Sequence, residues 1–241
     1  MIAYHITGAV SSIIFLLTVL GLWWQLRLIY RRKREARETG QPPTAILSLN
    51  QFVSSFLAFF SFFLYGACLE RFNHYLVWTR LAASVLTLIV LFEIMLDRRT
   101  AATVGSFAVC SFLMITAPIV LAWNPKFAAS AKVISQGLII LVTVVLAQGY
   151  LHQVVVMRTT GRTGAVALRM HQCFLLKDIA TIAFAWTMGT AGWPLLLLST
   201  VSGITKLITL WNFRWVRVSP AARERRLESG EASAEDVVAV G

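Results

Sequence analysis

Residues 6–29 read ITGAVSSIIFLLTVLGLWWQLRLI, and the run is stopped by Arg31-Arg32-Lys33-Arg34. At ~1.5 Å per residue, such a block is long enough to cross a ~30 Å hydrocarbon core as a helix. It is too long for the apolar region of a signal peptide. It also lacks a charged leader and an A-x-A cleavage site, so it reads as a retained, stop-transfer-like helix.

The rest of the chain repeats this pattern. Of its 241 residues 57% are hydrophobic and 14% charged, where a soluble domain carries about 25% charged residues. Further apolar blocks lie at roughly 46–66, 75–96, 103–122, 132–151, 167–188 and 193–213. They are unbroken and do not alternate, and lipid admits only helices or closed barrels, so helices are expected. The reading is an all-α membrane protein with seven transmembrane helices. Its expected parts are 1–101, 102–130, 131–215 and a polar tail, 216–241, that turns from basic to acidic and is expected to be disordered.

The net charge of +11 sits in short segments between apolar blocks. That is the signature of membrane orientation, not of nucleic-acid binding. The segments after the first, third and fifth blocks are rich in Arg and Lys, and the alternate ones are poor. The N-terminus is therefore expected outside and the C-terminus in the cytoplasm, with the plasma (inner) membrane as the expected location. The basic segment Arg31–Arg37 should attract anionic lipid heads, at ~1 kcal/mol per basic residue near the surface. Oligomeric state stays open, a homo-oligomer included. Cys68, Cys110 and Cys173 have no metal-ligand spacing and read as buried small residues. No metal or cofactor is expected.

An internal repeat is visible. Gly21-Leu22-Trp23-Trp24-Gln25 ends the first block and Gly149-Tyr150-Leu151-His152-Gln153 ends the fifth, each before a basic segment. The next block in each half opens with a polar pair, Asn50-Gln51 and His171-Gln172, and closes on glycine at Gly66 and Gly189. The third opens with Trp78 or Trp193. Three spans, one connector and three spans make a parallel repeat. This layout, with a glutamine ending spans one and five, resembles the PQ-loop superfamily, which includes the SWEET sugar transporters. The resemblance implies two parallel three-helix repeats joined by a single connector helix. The family's Pro-Gln dipeptide is here Trp24-Gln25 and His152-Gln153, so the prolines thought to act as hinges are absent. The asparagines typical of the sugar site in the third helix of each half are absent too.

Ionisable groups at membrane depth are costly, so they need a partner or a water-filled cavity. Lys177 and Asp178 fall about 15 Å into the sixth span and Lys206 about 20 Å into the seventh. Asp178 and Lys206 are thus expected to pair or to share a polar cavity, beside Ser202 and Thr205. Two readings stand side by side: a structural ion pair, or a site for an ionisable substrate or a coupling proton. Arg80 and Glu93 read as interfacial residues that can snorkel. Gln25, Gln153, Asn50, Gln51, His171 and Gln172 are candidates for a gate at the cytoplasmic face, or simply polar helix starts.

No hydrolase, phosphate-loop or metalloprotease motif is present, and the chain is not expected to be an enzyme. The expected function is transport of a small polar, ionisable solute by alternating access, with proton coupling as an option. The alternative is a non-transporting membrane receptor, sensor or subunit of a membrane complex.

Overall fold

The structure, a computed structural model, describes residues 2–39, 44, 47–123, 127–161 and 168–228. All elements among these residues are helical: α1 (Ile2–Thr39), α2 (Leu49–Ala67), α3 (His74–Arg98), α4 (Ala101–Trp123), α5 (Phe127–Thr160), α6 (Leu168–Thr187), a 3₁₀ turn (Gly189–Gly192), α7 (Trp193–Val218) and α8 (Pro220–Glu228). Six of the helices are long and apolar enough to cross a membrane, and the chain is an all-α integral membrane protein. The long helix outside that six is α6, whose composition is diluted by Arg169, His171, Gln172, Lys177 and Asp178.

The helix ends follow local chemistry. The side chains of Ser48 and Asn73 accept the backbone N–H groups of Gln51 and Leu76, capping α2 and α3. Pro194 occupies the first turn of α7, where its missing N–H costs nothing. α1 and α5 run past their apolar blocks, because Lys, Arg and Glu are good helix formers that carry a helix on into water. The basic residues Arg27, Arg31 and Arg158 therefore ride on helix, not on loops. Residues 216–228, expected in a disordered tail, carry the end of α7 and all of α8. Ser219 breaks the helix, Pro220 restarts it, and an Ala-Ala-Arg-Glu-Arg-Arg run sustains it. Residues 229–241 lie outside the described ones.

α1 packs on α3, α3 on α2, α2 on α5, α5 on α7, α7 on α6, and α6 back on α1. Six helices thus close into a ring. α3 and α7 sit opposite one another, and their described residues do not pack together. α4 lies outside the ring against α3 and α2. Thr103 and Cys110 are its buried residues, Phe107, Leu113, Met114, Ala117 and Leu121 pack against the core, and its outer face is exposed. Cys68 is half-buried, and Cys173, expected to be buried, faces outward on α6.

Two apolar clusters hold the ring. One joins Leu26 and Ile29 of α1, Phe52, Phe56, Phe60 and Phe63 of α2, and Val90, Leu91 and Ile94 of α3. The other gathers at the end of the bundle that carries the N-terminus, where Phe62, Tyr65, Leu76, Ile139, Phe184 and Leu195 meet. There Tyr4, Tyr75 and Phe184 pack edge to face or tilted, with centroids 5.4 to 5.9 Å apart. Thr7 and Thr187 share a hydrogen bond of 3.1 Å, and the Tyr65 hydroxyl donates to the Ala191 carbonyl at 2.6 Å. Tyr65→Phe keeps the packing and loses that bond. It should cost about 1 kcal/mol, read as a lower midpoint of thermal unfolding.

The opposite end is fastened by charge. Lys33 pairs with Glu93 across α1 and α3. Asp97 accepts the backbone amide and hydroxyl of Thr44 at 2.9 and 2.5 Å. Arg98 donates to the carbonyls of Thr44 and Leu47. Arg158 donates to Asn212 and lies over the Trp215 ring, and Arg225 of α8 donates to the Arg158 carbonyl.

Candidate functional site: a buried charge cluster inside the helix ring

Asp178 lies halfway along α6, and its side chain is 1% exposed. A carboxylate there needs cations, because burial strips it of water. Lys206 of α7 donates to Oδ2 at 2.6 Å. The Nζ of Lys177 lies 2.8 Å from Oδ1 as an ion-pair contact, without the alignment of a hydrogen bond. The expected pairing of Asp178 with Lys206 is therefore made, and it ties α6 to α7. Successive residues on a helix point ~100° apart, so Lys177 reaches Asp178 from a more exposed flank.

Lys206 has further neighbours. It donates to the Ser202 hydroxyl one turn back, and its ammonium faces the rings of Tyr150 and Phe174, 5.5 Å from each centroid. Cation–π contact of this kind stabilises a dehydrated ammonium. Thr205 is buried, but its hydroxyl donates to the Ser202 carbonyl at 2.9 Å, so it does not join the pair.

Other buried hydroxyls also bond back to their own helix: Ser84 to the Arg80 carbonyl, Thr87 to that of Ala83, Thr181 to that of Lys177 and Thr209 to that of Thr205. Such bonds satisfy the hydroxyl proton locally and leave lone pairs for another donor.

Arg80 departs from expectation. It does not snorkel to the interface but is 6% exposed. Its guanidinium lies over the Phe15 ring, 3.4 Å from the centroid, and donates to the Thr79 hydroxyl at 3.1 Å. Neither partner carries a charge. Among the described residues no carboxylate lies within ion-pair distance of it. Glu93, also expected at the interface, is buried and satisfied by Lys33.

The gate candidates are scattered. Asn50, Gln51 and Gln172 are exposed and Gln25 is half-buried. His171 is buried beside the rings of Tyr150 and Phe213, with centroids 6.1 Å away. The side chain of Gln153 is outside the described residues. Trp78, Trp186 and Trp193 are exposed near helix ends, and Trp23 and Trp24 near the end of the apolar part of α1, where an interfacial belt puts them. Sequence reading missed Tyr150, Phe174 and the central place of Arg80. An aromatic residue inside an apolar block carries no signal of what it faces.

Among the described residues no three His, Cys, Asp or Glu side chains converge to hold a metal ion. No protein-family model matches the chain, and no curated protein proves similar to it.

Proposed function

We propose that the chain is a membrane transporter that moves a small polar, ionisable solute by alternating access. In this reading α6 is a seventh span, and two parallel three-helix repeats, α1–α3 and α5–α7, are joined by α4. The layout resembles that of the PQ-loop superfamily. The N-terminus is outside, and the basic end faces the cytoplasm.

The packing supports the repeat. Exchanging α1 with α5, α2 with α6 and α3 with α7 maps the six neighbouring pairs of the ring onto one another. Arg80, Ser84, Thr87, Val90, Leu91 and Ile94 of α3 are buried. So are Leu195, Ser199, Ser202, Thr205, Lys206 and Thr209 of α7, each 115 residues later. That offset also separates Trp78 from Trp193, which are both exposed. Sites of such repeats lie at mid-depth between the halves.

The observation that carries the proposal is the charge cluster of Lys177, Asp178 and Lys206 inside that ring. A charge at mid-bilayer costs ~2.5–3.5 kcal/mol on insertion scales and marks a substrate or ion path. The seam of Thr7, Thr187, Tyr4, Tyr75 and Phe184 joins α1, α3 and α6 at the N-terminal end, and in this reading it serves as the gate on that side.

The test is uptake by the purified protein in liposomes, for a panel of radiolabelled solutes at two pH values. Saturable uptake absent from empty liposomes is the expected result. A solute that raises the unfolding midpoint through mass action yet never accumulates would turn the reading to a receptor or sensor.

A further inference from the structure

We infer that the solute is an organic anion whose carboxylate or phosphate group binds inside the ring between Arg80 and the Lys206–Asp178 pair. The inference rests on the transport reading above and names its substrate class.

The charge balance is the first argument. Lys177 and Lys206 both approach one carboxylate, Asp178. The guanidinium of Arg80 instead lies buried on Phe15 and Thr79, with no carboxylate partner among the described residues. The interior therefore carries an excess of positive charge. A bound anion offsets it, whereas a neutral sugar leaves it and a cation adds to it. Burial sharpens the preference, since a dehydrated cation without a counter-ion is costly.

Geometry is the second argument. Arg80 and Lys206 stand on α3 and α7, the two helices that oppose one another across the ring without packing together. Phe15 covers one face of the guanidinium, and Thr79 accepts one of its N–H groups. Arginine presents several N–H donors in a planar fork that matches a carboxylate or phosphate. Among the described residues no carboxylate pairs with this fork, and its remaining donors are available to a ligand. The rings of Tyr150 and Phe174 beside Lys206 give an apolar wall for the body of an organic anion.

The test is thermal unfolding of the purified full-length chain at constant ionic strength with succinate, inorganic phosphate, glucose or putrescine. Succinate, phosphate or both should raise the midpoint saturably, while glucose and putrescine leave it unchanged. A response to phosphate alone assigns a phosphate group, and a response to succinate alone a carboxylate. Arg80→Gln should weaken anion binding by about thirtyfold or more, and Arg80→Lys by less, because it keeps the charge and loses the fork. No shift with either anion, or a shift with glucose or putrescine instead, overturns the inference. Anion binding without uptake would leave it standing and remove the transport reading. Uptake of glucose or putrescine would do the reverse.

Discussion

Asp178→Asn should abolish uptake and strip the protein of a large share of its stability. The substitution keeps the shape of the side chain and deletes the charge that two ammonium groups, 2.6 and 2.8 Å away, approach. Lys177, Lys206 and Arg80 are then left with no carboxylate among them. Breaking a buried pair by removing one partner costs about 3–5 kcal/mol, against a total of about 5–15 kcal/mol for a typical domain. The second partner separates stability from function. In Asp178→Asn with Lys206→Met, the cation leaves together with its counter-ion. Much of the loss should return, seen as a coupling energy in the double-mutant cycle of unfolding midpoints. If the stable double variant does not transport, the pair serves the solute or a coupled proton. If it transports like the wild type, the pair is structural and the site must be sought elsewhere in the ring.

That this pair is legible at all in the sequence comes from depth arithmetic. Counting ~1.5 Å per residue from the ends of two consecutive antiparallel spans brings Asp178 and Lys206 to nearly one level. Oppositely charged groups at one level in lipid must meet or find water. The same arithmetic misleads for Arg80. Depth near a helix end suggests snorkelling, but azimuth decides, and azimuth depends on Phe15, which the fold brings from another helix. Helix ends are hidden for a related reason. A block ends where apolar residues stop, whereas a helix ends where backbone bonding stops, so α1, α5 and α7 outrun their blocks. α6 shows the opposite failure. Its polar residues pull it out of the set of apolar helices, yet the most costly of them, Asp178, is turned inward and paired. The gate at the basic end rested on polar residues opening two helices, and a polar helix start looks the same in sequence whether it gates or merely meets water. The seam at the other end is made by aromatic side chains and hydroxyls that an apolar block conceals.

Gly192→Ala should be the most damaging alanine substitution among the described glycines, with a loss of about 3 kcal/mol. A Cβ built there would stand 2.0 Å from the Ala185 carbonyl oxygen and 2.8 Å from its carbon. These are backbone atoms, and the oxygen already accepts the Met188 N–H at 3.1 Å. No side-chain rotation can relieve the clash, so α6 and the turn must separate. The backbone of Gly192 itself, at φ −82, suits alanine, so conformation does not contribute. Gly189 isolates the other cause. Its φ of +61 is left-handed and nothing lies within 4 Å of an added Cβ. Gly189→Ala should therefore cost about 1 kcal/mol from backbone strain alone, and Gly189→Asn less. The turn joins the two helices that carry Asp178 and Lys206. Forcing them apart at Gly192 by a fraction of the 2.6 Å bond length should also break that pair. Gly192→Ala is thus expected to lose uptake as well as stability, while Gly189→Ala keeps uptake. Equal loss of midpoint in the two alanine variants would refute the steric argument and make the turn sensitive to conformation only.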